Sequence, residues 1–188
     1  MSLLNYLRMS VASASGASTA LVNLLSGRGE WHPIQLKPGD IAPDFGLAGS
    51  DGRWYRLRDF RGHDAVVIAW FAKAFSVGCT RECASIGSSR GVLRGFKARY
   101  FGASVDTVET NRRFAESLGI DYPILSDPSK AVARAYGVLR ATGLPARYTF
   151  YIGKDGRVLD VDRQVRPASH GLDMTGKLTA LGVQTSQP

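Results

Sequence analysis

The sequence predicts an α/β sandwich, and three observations carry that expectation. From about residue 37 onward, strand-like runs alternate with segments of helical spacing, the order that lays helices against a sheet. One run, Ala65-Val66-Val67-Ile68-Ala69-Trp70-Phe71, is almost continuously apolar, as a strand covered on both faces in a parallel sheet must be. A third, at 146–152, leads into Lys154-Asp155-Gly156 and reads as a strand entering a hairpin turn. With 188 residues, 44% hydrophobic and 21% charged, the chain is long enough for one domain with a full core.

Residues 1–35 read as an N-terminal extension to a domain at 36–188. They are rich in Ser, Ala and Gly and hold no acidic residue before Glu30. Leu3, Leu4, Leu7 and Val11 share one helical face, which suits an arm docking on the domain or on a partner subunit, as in a homodimer. A signal or transit peptide is the other reading. Cytoplasmic residence is expected, with a periplasmic or organellar location if the extension is a targeting signal. Its apolar stretch is broken by Ser, Gly and Asn and is too short for a membrane span.

The domain then divides in order. A short hairpin is expected around Ser50-Asp51-Gly52, followed by the apolar strand at 65–71. A helix from about 79 to 100 follows from the spacing of Ile86, Val92, Leu93, Phe96 and Tyr100. Next come a strand at 101–105, a helix at 108–118, a short strand at 123–125 and a helix at 129–136 that Gly137 stops. The stretch 140–145 reads as a loop, the hairpin occupies 147–161 with Arg147 opening its first strand, and a last helix spans 170–181. There is no internal repeat.

Chemistry concentrates where the apolar strand gives way to the first long helix, because both cysteines, Cys79 and Cys83, lie there four residues apart. Ser76 reads as the N-cap, which puts Cys79 in the first turn. A sulfur at that place faces unpaired N–H groups and the positive end of the helix dipole, and both favour the thiolate. The competing reading of each cysteine is a small buried hydrophobe.

These segments resemble the peroxiredoxins, in the alkyl hydroperoxide reductase and thiol-specific antioxidant branch of the thioredoxin-like fold. The signature Pro-x-x-x-Thr/Ser-x-x-Cys is matched by Ser76 and Cys79, with Phe71 as the usual preceding aromatic and Thr80 and Glu82 as common followers. Ala72 stands at the proline position, and Val77 stands where relatives often carry proline. Gly39-Asp40-Ile41-Ala42-Pro43-Asp44-Phe45 is similar to the opening "G-x-x-A-P-x-F" and Arg147-Tyr148-Thr149-Phe150 to "R-x-T-F", while Ser104-Val105-Asp106 with Phe114-Ala115 resembles the next strand and helix. The likeness covers roughly 37–162.

It implies a three-layer sandwich around a central mixed β-sheet and a thiol-dependent peroxidase acting on hydrogen peroxide and organic hydroperoxides. By the same resemblance Cys79 is the peroxidatic cysteine, attacking one peroxide oxygen and becoming a sulfenic acid. Arg147 would lie beside the sulfur, lower its pKa and hold the peroxide oxygens, the Ser76 hydroxyl and the Cys79 N–H would bond the peroxide, and Glu82 would orient Arg147. The resemblance makes Cys83 the candidate resolving cysteine. In one subgroup the resolver follows the nucleophile by five, a place held here by Ala84. An intact helix holds side chains four apart with Cβ atoms about 5–6 Å from each other, and a disulfide wants about 3.5–4.5 Å, so closure needs the first turn to unwind. A cycle in which an external thiol attacks directly is the alternative. The implied reductant is a thioredoxin-like or glutathione-linked thiol, and no metal, flavin or nucleotide cofactor is implied.

Other functions of the same fold need different residues. Copper delivery joins a Cys-x-x-x-Cys pair to a histidine, but His32, His63 and His170 all lie away from the late strand, and His170 reads as a surface residue. Thioredoxin-type disulfide exchange typically uses Cys-x-x-Cys, and a redox sensor without peroxidase turnover is the further alternative for this fold. The net charge of +8 raises nucleic acid as a partner, yet the basic residues are dispersed. Even Arg53, Arg56, Arg58 and Arg61 read as a solvated face, so nucleic acid is not expected.

Overall fold

In chain order the elements are strands β1 (Gly46–Gly49) and β2 (Trp54–Arg56), a 3-10 turn at Leu57–Phe60, β3 (Ala65–Trp70), helices α1 (Val77–Ser88) and α2 (Arg90–Leu93), β4 (Ala98–Ser104), α3 (Val108–Leu118), β5 (Ile124–Ser126), α4 (Ala131–Ala135), β6 (Thr149–Ile152), β7 (Val158–Asp162) and α5 (His170–Ala180). They come from a computed structural model that describes residues 35–185. The expected N-terminal extension, including His32, lies outside the described residues apart from its last position.

The strands form one mixed sheet in the order β2-β1-β5-β4-β3-β6-β7. β3, β4 and β5 run parallel, and β6 joins β3 antiparallel with Ile68 opposite Phe150. Successive side chains of a strand point to opposite faces, and β3 shows how that builds the three layers. Val66, Ile68 and Trp70 enter one core with Ala133 of α4, Tyr136 and Phe150. Val67, Ala69 and Phe71 enter the other with Cys79, Cys83 and Ile86 of α1, Phe114 of α3, and Met174 and Leu178 of α5. Every residue of β3 is buried, as its uninterrupted apolar run requires. Among the described residues no helix is long and apolar enough to cross a membrane.

Local signals account for most boundaries. The Thr107 side chain accepts from the Thr110 N–H at the start of α3, and Gly119 ends that helix in the left-handed conformation. The expected helix at 79–100 is shorter than its spacing implies. α1 stops at Ser88, a single turn of α2 follows, and Tyr100 lies in β4. Glycines at 87, 91 and 95 lower helix propensity every fourth residue, and Phe96 and Tyr100 keep helical spacing only by coincidence with a turn and a strand. β6 also begins at Thr149 rather than 146, leaving Arg147 in the loop before it. The Tyr148 carbonyl in that loop still accepts from the Trp70 N–H at 2.9 Å, so the loop is tied to the end of β3.

Candidate active site

The chain leaves β3 through a short loop whose shape is set from α3 and from the turn before it. The Ala74 N–H donates to Asp106 Oδ2 at 2.8 Å. Phe75 takes a positive φ of 63°, a conformation costly for an aromatic residue, and its ring lies 5.0 Å from that of Phe114. Ser76 follows in the extended N-cap conformation. Its hydroxyl donates to the Lys73 carbonyl at 3.0 Å rather than capping the helix. Val77, Gly78 and Cys79 then occupy the first turn, where N–H groups have no intrahelical acceptor.

Cys79 is buried, and its Sγ accepts a hydrogen bond from Arg147 Nη2 at 3.3 Å. The same guanidinium donates from Nε to Glu82 Oε2 at 2.7 Å. Burial works against the Arg147 charge, but the bonds to Cys79 and Glu82 outweigh it and hold its pKa above the ordinary value. A Cβ on residue 78 would stand 3.0 Å from Nη2, so Gly78 leaves the guanidinium room to cross the helix end. Three residues expected at the site, Cys79, Glu82 and Arg147, are therefore joined. Ser76 stands at the rim and has no hydrogen bond to any of them among the described residues.

Glu82 is itself almost wholly buried, and behind it sits a residue that the sequence places on the surface. His170 has no exposed area; its Nδ1 lies 3.1 Å from Glu82 Oε1 and its Nε2 2.8 Å from Thr149 Oγ1. The Nδ1 contact is close but off the N–H direction, so it is a polar contact rather than an aligned hydrogen bond. The burial comes from close helix packing. A Cβ on Gly171 would meet the Ser85 carbonyl oxygen at 2.3 Å, so only glycine lets the start of α5 lie this near α1. The Gly171 N–H also donates to Ser85 Oγ at 3.1 Å.

Cys83 is reduced, as is Cys79, and lies one helical turn further into the core. Its carbonyl accepts from the Tyr122 hydroxyl at 3.0 Å. Burial, reinforced by the Glu82 charge, pushes its thiol well above the ordinary range. A thiol hidden in this way is a poor nucleophile while α1 is intact.

A first-turn cysteine touched by an arginine, with that arginine held by a buried glutamate, sets a fixed positive charge beside a sulfur at a helix start. The AhpC/TSA family matches residues 38–161. The chain belongs to that family and is a peroxiredoxin. It is 30% identical to peroxiredoxin Bcp of Escherichia coli over 142 residues, covering 72% of this chain and 90% of that one. A putative peroxiredoxin of Mycobacterium tuberculosis is 35% identical over 130 residues, 67% of this chain and 84% of the relative. Among solved structures, the peroxidoxin BcpB of M. tuberculosis superposes with a TM-score of 0.71 at 32% identity, covering 78% of this chain and 98% of the other. The bacterioferritin comigratory protein of Xanthomonas campestris, solved as a trapped intermediate and ligand complex in a study of alkyl peroxide reduction, gives 0.69 at 26%, covering 79% and 98%.

The peroxiredoxin is thus a thiol-dependent peroxidase with the thioredoxin-like three-layer fold. Sequence reasoning missed three supporting residues. Gly78 and Gly171 carry a signal only once the atoms beside them are known. His170 offered none, because its partner Glu82 lies 88 positions earlier (170 − 82).

Proposed function

We propose that Cys79 is the peroxidatic cysteine of this enzyme, activated by Arg147, with Glu82 fixing the arginine and Ser76 receiving the peroxide. The observation that carries the reading is the double engagement of one guanidinium, Nη2 on Cys79 Sγ and Nε on Glu82 Oε2. A guanidinium so held offers a fixed cation to a thiolate and N–H groups to the oxygens that approach it. With its own proton on the Lys73 carbonyl, Ser76 Oγ turns its lone pairs outward to accept from a peroxide O–H.

In the first step the Cys79 thiolate attacks the terminal hydroxyl oxygen of a hydroperoxide. A sulfur–oxygen bond forms, the oxygen–oxygen bond breaks, and the sulfur loses two electrons to become a sulfenic acid. The leaving oxygen carries the negative charge past the Arg147 guanidinium and the Cys79 N–H, then takes a proton from solvent and departs as water or alcohol. Hydrogen peroxide and small organic hydroperoxides are the proposed substrates. The exposed Phe75 and Val77 beside the loop offer apolar contact to an alkyl chain, and the X. campestris relative's alkyl peroxide activity agrees with that preference.

For the second step we propose Cys83 as the resolving thiol, reached by opening of the first turns of α1. Its sulfur would attack the sulfenic sulfur, hydroxide would leave as water after protonation, and a thioredoxin-like or glutathione-linked thiol would return two electrons to the disulfide. Direct attack by that external thiol is the second reading, favoured by the complete burial of Cys83.

One equivalent of hydrogen peroxide added to the reduced protein, followed by intact mass within seconds, tests both steps. Loss of about two mass units marks a disulfide, and a gain of about sixteen marks a sulfenic acid. Cys79→Ser is expected to show neither and to consume no peroxide. The same mass change in that variant would remove Cys79 from the reaction.

A further inference from the structure

We propose that His170 is a positioning residue of the peroxidase site: it holds the Glu82 carboxylate in the orientation that keeps Arg147 on Cys79. The proposal rests on Cys79 being the nucleophile. A carboxylate taken out of water is costly unless both oxygens are met by donors or charge. Glu82 Oε2 is met by Arg147 Nε, whereas Oε1 has no aligned hydrogen bond among the described residues and has His170 Nδ1 3.1 Å away. Removing the imidazole frees the carboxylate to turn about its last torsion, and the guanidinium that leans on it turns too.

The imidazole is itself held between the two parts of the chain that supply the reacting groups. Thr149, two residues after Arg147, meets Nε2 from β6, while Glu82, three residues after Cys79, meets Nδ1 from α1. His170 thus bridges the backbone that carries the arginine to the helix that carries the sulfur. The packing of Gly171 on the Ser85 carbonyl fixes where α5 begins, and with it the distance the imidazole must span. A histidine serving only as core filling would have no need of the site's one buried carboxylate on one nitrogen and a strand hydroxyl on the other.

The test compares wild type, His170→Leu, Glu82→Gln and the double variant by stopped-flow peroxide reduction. Thiolate absorbance near 240 nm and melting temperature are read alongside. His170→Leu is expected to lower the second-order rate constant about ten- to a hundredfold, as for other sub-ångström to ångström misplacements of a catalytic group, and to reduce the thiolate signal at neutral pH. Because the effect passes through Glu82, the double variant should be no slower than Glu82→Gln alone. A folded His170→Leu with wild-type rate and absorbance overturns the proposal, and so do losses that multiply in the double variant. Should His170→Leu not fold, Thr149→Val removes only the hydroxyl on Nε2 and should slow the reaction about two- to tenfold; an unchanged rate there counts against the bridge. Cys79→Ser distinguishes the two levels, since peroxide consumption surviving in it overturns the nucleophile assignment rather than the role of His170.

Discussion

Arg147 does two jobs with one planar group, and that sets what can replace it. A lysine ammonium is a point charge on a flexible stem and cannot present one N–H to Glu82 and another to Cys79 from fixed positions. Losing one charge-assisted hydrogen bond costs about 1.5–3 kcal/mol, so Arg147→Lys should reduce peroxide about ten- to a hundredfold more slowly. Stopped-flow kinetics read this directly, and a lysine variant at wild-type rate would show that charge alone suffices. Cys79, Glu82 and Arg147 were legible in the sequence because each sits in a short motif whose spacing is its own signal. His170 was not, since its surroundings, Ser169 and the exposed Leu172, look like an ordinary helix start, and its burial is decided by how closely the adjoining Gly171 lets α5 pack on α1.

α1 is a helix held by its surroundings more than by its own residues. Its sequence carries two glycines, a threonine and an N-cap that makes no side-chain capping bond, all of which lower intrinsic helix stability. What keeps it folded is the apolar face that buries Cys79, Cys83 and Ile86 against β3 and α5. A bond between Cys79 and Cys83 demands that the first turns open, which gives up the burial of both side chains while the later turn at Ile86 stays packed. The docking of α5 is the sensitive point. Gly171→Ala sets a Cβ against a backbone oxygen that cannot move aside, and about 1–3 kcal/mol of destabilisation is expected from such overpacking. Urea unfolding measures it, and an unchanged midpoint would mean that the two helices part freely. At this scale α3 and the late hairpin were readable because a cap, a stop and a turn mark their ends. The end of α1 was not, because the apolar spacing ran on past the glycines that interrupt the helix.

For the molecule as a whole, the sheet and its two cores determine how the fold answers alkali. Burial, foremost, raises the phenols of Tyr122, Tyr136 and Tyr151 above the usual 10.0, and brings Tyr55 to about 12. An unfolded chain releases these protons near pH 10 while the folded one keeps them, so the unfolded state gains as pH rises. This contribution is full below about pH 9, begins to fall as the Cys83 thiol of the unfolded chain ionises near its ordinary 9.0, and falls further from pH 10 toward pH 12 as the tyrosines follow. Denaturant midpoints at pH 8, 10 and 11, read with tyrosinate absorbance, test this; tyrosines titrating near pH 10 in a still-folded protein would contradict it. The alternation of strands and helices made the layered architecture legible, but not which side chains from distant segments would share one site. That separation has an outcome for the life of the chain. Cys79 emerges from synthesis 68 residues before the arginine that touches it, and the two meet only when β6 has paired with β3. Until then the nascent sulfur lacks the guanidinium on which the proposed mechanism depends, so on that proposal an unfinished chain is spared oxidation and reactivity arrives as the last strands close.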